Sequence, residues 1–589
     1  MPGNRYNNRF CLHSFDHNFF FGVPMSFRRV GWVAAVALAT LLELSCGQVY
    51  RPVVIPVDIV PPNPGSFHEV FGIATNLSFN FGTAMQIDVS GDSNIGQANM
   101  GINPTHAAIL PNNSRVFVAS AGSIFPGEAD SVIAFTPASD SSSATGLGSP
   151  TTFSLPAGSQ PVFLNTTQLS AVFVANYGTN SVSTLNTGTN TVTMTGAVGA
   201  QPVALAETPD AQNLYVVNQG SNTVTDLSPN DLAPLATITV GNTPVWAVSR
   251  SDSKRIYVVT QGDGQLYTIR TDANTVLSNQ SVGGPGANFA LYDKGLNRLY
   301  VTNPNTSSVY VFDVTGDSPA LITTLDLTAG GVNAPCPTGC SPVSVAALAD
   351  GSRFYVASYQ NAASCPDPVV GATSACIIPR LTVYDALSLT VKPATATLLA
   401  PSLSLLGVQF APGQYAVPAV PACAAVVPYT PSSTRFRVFT TAAADSSHVY
   451  VSVCDAGSIA DINASTSTIS SGGNNTPDTL ITDLGAPFAA CTNFSLCGPA
   501  NPITSFSITS NVVTFQSANN FVAGQRVQVV GLTTGTYLNG LNLTVLPTGL
   551  SSSQFQCYFT SPDVPSTTDT GTATPVPPLQ DPAFLLTGS

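Results

Sequence analysis

Chemistry in a protein begins with side chains that can hold a metal, move a proton or attack a bond, and in this chain such side chains are sparse. Beyond residue 45 there are three histidines, His68, His106 and His448. Zinc ligands come in closely spaced sets, and a hydrolytic triad needs a nucleophile and a base with a partner that orients it. These three residues have neither arrangement. No Cys-x-x-Cys-His haem attachment, Gly-rich phosphate loop or Gly-x-Ser-x-Gly elbow occurs, and the acids Glu128, Asp130, Glu207 and Asp263 are scattered. The sequence therefore predicts no catalytic, metal or cofactor site.

Cysteine offers the other chemistry. Cys336 and Cys340, Cys365 and Cys376, Cys423, Cys454, and Cys491 and Cys497 all fall between residues 336 and 497, while residues 160–327 contain none. Their spacings do not repeat a zinc knuckle. In an oxidising compartment they read as disulfides, with 336/340, 365/376 and 491/497 as the close pairs, 423/454 as the remaining one, and Cys557 left over.

The compartment is legible at the N-terminus. Arg28 and Arg29 precede an apolar run from Val30 to Leu42, and Leu44-Ser45-Cys46-Gly47 follows, in the order of a secretory signal. The run is too short to span a bilayer as a helix, which takes about 20 residues. Residues 1–45 are read as the signal region, with Met25 where such a signal begins and residues 1–24 as an upstream start assignment. The segment ending at Cys46 resembles a bacterial lipoprotein signal, although Glu43 stands where that family prefers Leu. The resemblance implies acylation of Cys46 and a place in the periplasm, outer membrane or cell surface; without it the chain is simply secreted. Residues 46–66, rich in proline, read as a tether.

The formal charge is -13; residues 1–45 hold four basic and two acidic residues, leaving 14 basic against 29 acidic. That field repels phosphate backbones and anionic head groups, which excludes nucleic acid and leaves an N-terminal lipid as the only route to a membrane.

Along the chain one pattern recurs: a polar turn, then an aromatic followed by small or β-branched residues and Asn, Ser or Thr. Its aromatics are Phe71, Phe117, Phe173, Tyr215, Tyr257, Tyr300, Tyr355 and Tyr450, and the central spacings are 42, 42 and 43 residues. Such a period is that of a four-stranded propeller blade. Tyr215-Val216-Val217-Asn218, Tyr300-Val301-Thr302-Asn303 and the closing Val240-Gly241-Asn242-Thr243-Pro244 resemble the YVTN-repeat (YncE-like) β-propeller family, clearest from Gln160 to about Asp317. The repeated aromatic is expected to pack between blades, because a lone blade cannot bury both of its faces.

The expected fold is all-β: a propeller of four-stranded blades over residues 67–490, eight by repeat count with seven as the alternative, a small inserted β module over 491–576, and a ring-closing strand within 577–589. Extra residues are assigned to second-to-third-strand connections and to the connections between blades, which emerge on one face. The chain is accordingly expected to be a non-catalytic envelope or secreted propeller presenting that loop-decorated face to a protein or glycan. A propeller hydrolase of the lactonase type and a purely structural envelope protein are the alternatives.

Overall fold

The computed structural model describes residues 69–75, 82–89, 93–101, 103–121, 130–137, 147–148, 150–166, 170–330, 334–363, 376–391, 436–454, 458–464, 479–483, 500–521, 526–546, 549–559, 561–575 and 581–588. The signal region, the tether, His68, Cys46, Cys365, Cys423, Cys491 and Cys497 lie outside them.

Eight antiparallel sheets carry the repeats. Blade four is typical, with Pro202–Glu207, Leu214–Asn218, Thr223–Leu227 and Pro234–Thr239 in meander order. Its turns use left-handed residues, Ala211 and Asn222, both with φ near +55°, a region in which asparagine is several-fold enriched. Blade seven has three described strands. The first strands of the eight blades are Asp581–Thr587, Pro104–Ile109, Pro161–Asn165, Pro202–Glu207, Pro244–Ser249, Phe289–Asp293, Ser341–Ala347 and Val438–Ala442. Each packs on the first strand of the next blade, and the eighth packs on Asp581–Thr587, so the order is circular. Blade one is assembled from both ends of the repeat region: Asp581–Thr587 pairs antiparallel with Glu69–Thr75, Gly72 opposite Leu585.

The eight repeated aromatics all have 0 % exposure, and they lie within the cores that join neighbouring sheets. Burying one such ring is worth about 1.5–3 kcal/mol, so the recurrent Phe/Tyr contributes to holding blade on blade all round the ring. Residues 501–575 form a separate six-stranded sheet with its own core of Phe506, Phe515, Val527, Leu538 and Phe555. A bridge between Val545 and Cys557 brings its two edge strands together.

One expectation is overturned. The third strand of blade two ends at Phe135 and its fourth begins at Thr151; in blade eight the corresponding bounds are Asn463 and Thr479. These long third-to-fourth-strand connections emerge on the face opposite the other insertions, so added chain is not confined to one face. Aromatic-to-aromatic spacing sums all the connections of a period and cannot apportion an excess among them.

Candidate functional site

The ring closes around a central channel, and its lining is set by one position per blade. In blades two, three, four, five and seven the pairing register slips just after the strand-opening proline, between Pro104 and His106, Pro161 and Phe163, Pro202 and Ala204, Pro244 and Trp246, and Pro342 and Ser344. A bulge of this kind re-aims the residue that follows. The same register position holds Phe289 in blade six, Phe439 in blade eight and Phe584 in blade one. Six of the eight equivalent positions therefore carry rings.

Those rings form a continuous cluster. His106 stacks on Phe163 with centroids 4.0 Å apart and meets Phe584 at 4.6 Å. Phe163 meets Trp246 edge-on at 5.5 Å, and Trp246 meets Phe289 at 4.9 Å. Phe436 lies among Trp246, Phe289 and Phe439, and Phe439 meets Phe584 at 4.6 Å. Offset and edge-to-face pairs at such distances add to the stabilisation from burial itself.

Above the rings is a cavity of about 460 Å³ bounded by His106, Phe163, Trp246, Phe289, Phe439 and Phe584. Ile109, Val248 and Leu291, further along first strands, Thr166, just past the end of one, and Pro111, in the turn after another, also line it. The cavity thus opens where the first strands pass into short turns to the second strands. That mouth is opposite the face on which the sequence placed the binding surface.

The polar atoms around the cavity are mostly committed. Trp246 Nε1–H donates to Ala290 O at 3.0 Å, tying blade five to six, and Thr166 Oγ1–H donates to Ile109 O at 2.6 Å, tying blade three to two. The Leu164 N–H donates to His106 Nδ1 at 3.2 Å. An accepting Nδ1 places the proton of the neutral ring on Nε2. Burial pushes the His106 pKa down to about 3, so the imidazole is uncharged across the physiological range. No carboxylate borders the cavity among the described residues.

The sequence passed over His106 because it is unsuited to a metal or triad. The signal that would have found it, with its neighbours, is positional: two residues after the strand-opening proline stand His106, Phe163, Ala204, Trp246, Ser344 and Phe584. Other candidates lie elsewhere. His448 opens a second strand and its Nδ1 shares a 2.7 Å hydrogen bond with Ser447 Oγ. Asp130 and Glu207 are buried away from the cavity, and Asp263 accepts from Thr260 within a turn. Among the described residues no group of three His, Cys, Asp or Glu side chains is placed to hold a metal.

Cys336 and Cys340 form a disulfide within the connection from blade six to seven. Cys454 is disulfide-bonded as well, Cys376 begins a strand of blade seven, and Cys557 is a buried free thiol in the module core.

No family model matches the chain, and no curated protein matches it. Among solved structures, the dihydro-heme d1 dehydrogenase NirN, in complex with DHE, is similar over 71 % of this chain and 74 % of its own, with 11 % identity and a TM-score of 0.44. The periplasmic gluconolactonase PpgL of Pseudomonas aeruginosa is similar over 55 % of this chain and 94 % of its own, with 15 % identity and a TM-score of 0.41. A putative 6-phosphogluconolactonase of Bacteroides uniformis is similar over 58 % and 98 %, with 13 % identity and a TM-score of 0.41. The β-propeller fold itself stands on the circular order of the eight sheets.

Proposed function

We propose that this chain is a non-catalytic binding propeller that takes an uncharged, apolar small molecule in the aromatic bowl at the open mouth of its channel. The observation that carries the reading is the cavity itself: about 460 Å³, within the size range of ligand sites, and ringed by aromatic side chains. A charged ligand would lose its hydration there without gaining a counter-charge. The lactonase alternative needs carboxylates or several histidines converging on the channel, and the bowl has His106 alone. The bowl lies at the opposite end of the blades from the insertion-bearing face.

Trp246, one of two tryptophans, lies in the bowl and is a built-in reporter. Titration with naphthalene, followed by calorimetry and by Trp246 emission in a Trp32→Phe background, should show saturable one-to-one binding. Leu291→Trp, which narrows the half-buried rim, should weaken it. Absence of saturation up to the solubility limit, or metal-dependent hydrolysis of a lactone by the purified chain, overturns the reading.

The finer assignments belong to the same proposal. Export is supported by Arg28, Arg29 and the apolar run that follows, membership of the YVTN-repeat group by the Tyr-Val-x-Asn strands, and lipidation by Cys46 after Leu44-Ser45. A mature N-terminus at acylated Cys46 in mass spectra is the expected result. An unmodified N-terminus elsewhere rejects lipidation.

A further inference from the structure

Resting on that reading of the bowl, we infer that His106 confers selectivity: the ligand is a planar aromatic bearing one hydrogen-bond acceptor, an aryl ketone or quinone in chemical class, which takes the Nε2–H of His106. The ring is 8 % exposed and lines the cavity. Its Nδ1 is occupied by the Leu164 N–H, and among the described residues nothing accepts from Nε2. The stack on Phe163 at 4.0 Å and the contact with Phe584 at 4.6 Å fix the plane of the imidazole, so the donor is oriented before a ligand arrives. Because burial keeps the ring neutral, it offers a donor without attracting an anion. A flat π-system suits the walls, since Phe163, Trp246 and Phe289 present faces and edges at stacking distances. A ligand that covers this donor without supplying an acceptor strips it of water and is penalised, which is how such sites discriminate.

The test compares naphthalene, 2-acetylnaphthalene and 2-naphthoate on the full chain by calorimetry. The ketone should bind about tenfold more tightly than naphthalene, the gain expected of one oriented hydrogen bond. The carboxylate should bind most weakly. In His106→Phe the advantage of the ketone over naphthalene should disappear, while His106→Gln, which retains a donor, should keep part of it. Independently of any variant, the Nε2 resonance of His106 in 15N-histidine-labelled protein should move on adding the ketone and stay in place with naphthalene. Equal affinities for the three compounds, or a ketone preference that survives His106→Phe, overturn the inference while leaving the bowl as a binding site. Failure of all three to bind overturns the proposed function instead.

Discussion

His106 and Glu69 place two opposed pH dependences in one core. The His106 pKa falls from 6.5 to about 3 because burial disfavours the charged ring. Between those values the folded state binds fewer protons than the unfolded chain, so the stability the neutral ring contributes is complete above pH 6.5 and is lost as pH falls toward 3. The steepest slope is about 1.4 kcal/mol per pH unit. His106→Phe should therefore flatten the acid limb, narrowing the gap in melting temperature between pH 7 and pH 4.5. Glu69 has the reverse sign: burial raises its carboxyl from 4.5 to about 8, so the folded state binds the extra proton. Its contribution is complete below pH 4.5 and is lost as pH rises toward 8. Glu69→Gln should raise the melting temperature at pH 8.5 more than at pH 5; an equal effect at both would show that Glu69 does not carry the dependence. Neither residue was legible as a titrating group, because both shifts come from burial by strands distant in sequence.

Between neighbouring blades, the elements are fastened by side chains that reach from one blade to a turn of the next. Arg115 donates to Thr187 O at 3.1 Å and to Asn190 Oδ1 at 2.6 Å, and Arg255 pairs with Asp317. Arg250 donates to Val314 O at 2.9 Å and Gly316 O at 2.6 Å, and Tyr215 OH donates to Asn274 Oδ1 at 2.6 Å. All the acceptors lie in or beside turns between third and fourth strands. Tyr215→Phe removes one such link at constant ring volume and should cost about 1 kcal/mol in denaturant unfolding. The module depends on a different device. Asp569 accepts from the N–H groups of Thr533, Thr534, Gly535 and Thr570 at 2.7–3.0 Å. Burial alone would raise its carboxyl, but the Gly535 and Thr533 N–H groups outweigh that and hold it well below the usual range. Asp569→Ala orphans these donors. Hydrogen exchange should accelerate around Leu532–Leu538 while blades three to six keep their protection; uniform acceleration would contradict a local role. The period of the repeat was readable in the sequence, whereas these fastenings were not, since each joins residues 59 to 75 positions apart.

At the scale of the whole molecule, stability depends on closing the ring. Asp581–Thr587 pairs with Glu69–Thr75 on one side, while Thr587 Oγ1–H donates to Ala442 O at 2.9 Å on the other. It also buries Ala583, Phe584, Leu585 and Leu586. Removing residues 577–589 forfeits that burial, about 1.5–3 kcal/mol for each large side chain, and exposes the edge of Glu69–Thr75. The truncated chain should unfold at markedly lower denaturant, with exchange protection lost first in Glu69–Thr75 and Val438–Ala442. Retention of full stability would refute closure by this strand. The sequence by itself determined what is local and periodic: the blade length, the aromatic that packs sheet on sheet, the turns, the close cysteine pair 336/340, and the lack of a catalytic motif. Tertiary structure alone decided the bowl. Its rings are spread over residues 106 to 584 and become neighbours only when eight strands converge on an axis, and a bulge after the strand-opening proline turns His106, Phe163, Trp246 and Phe584 inward.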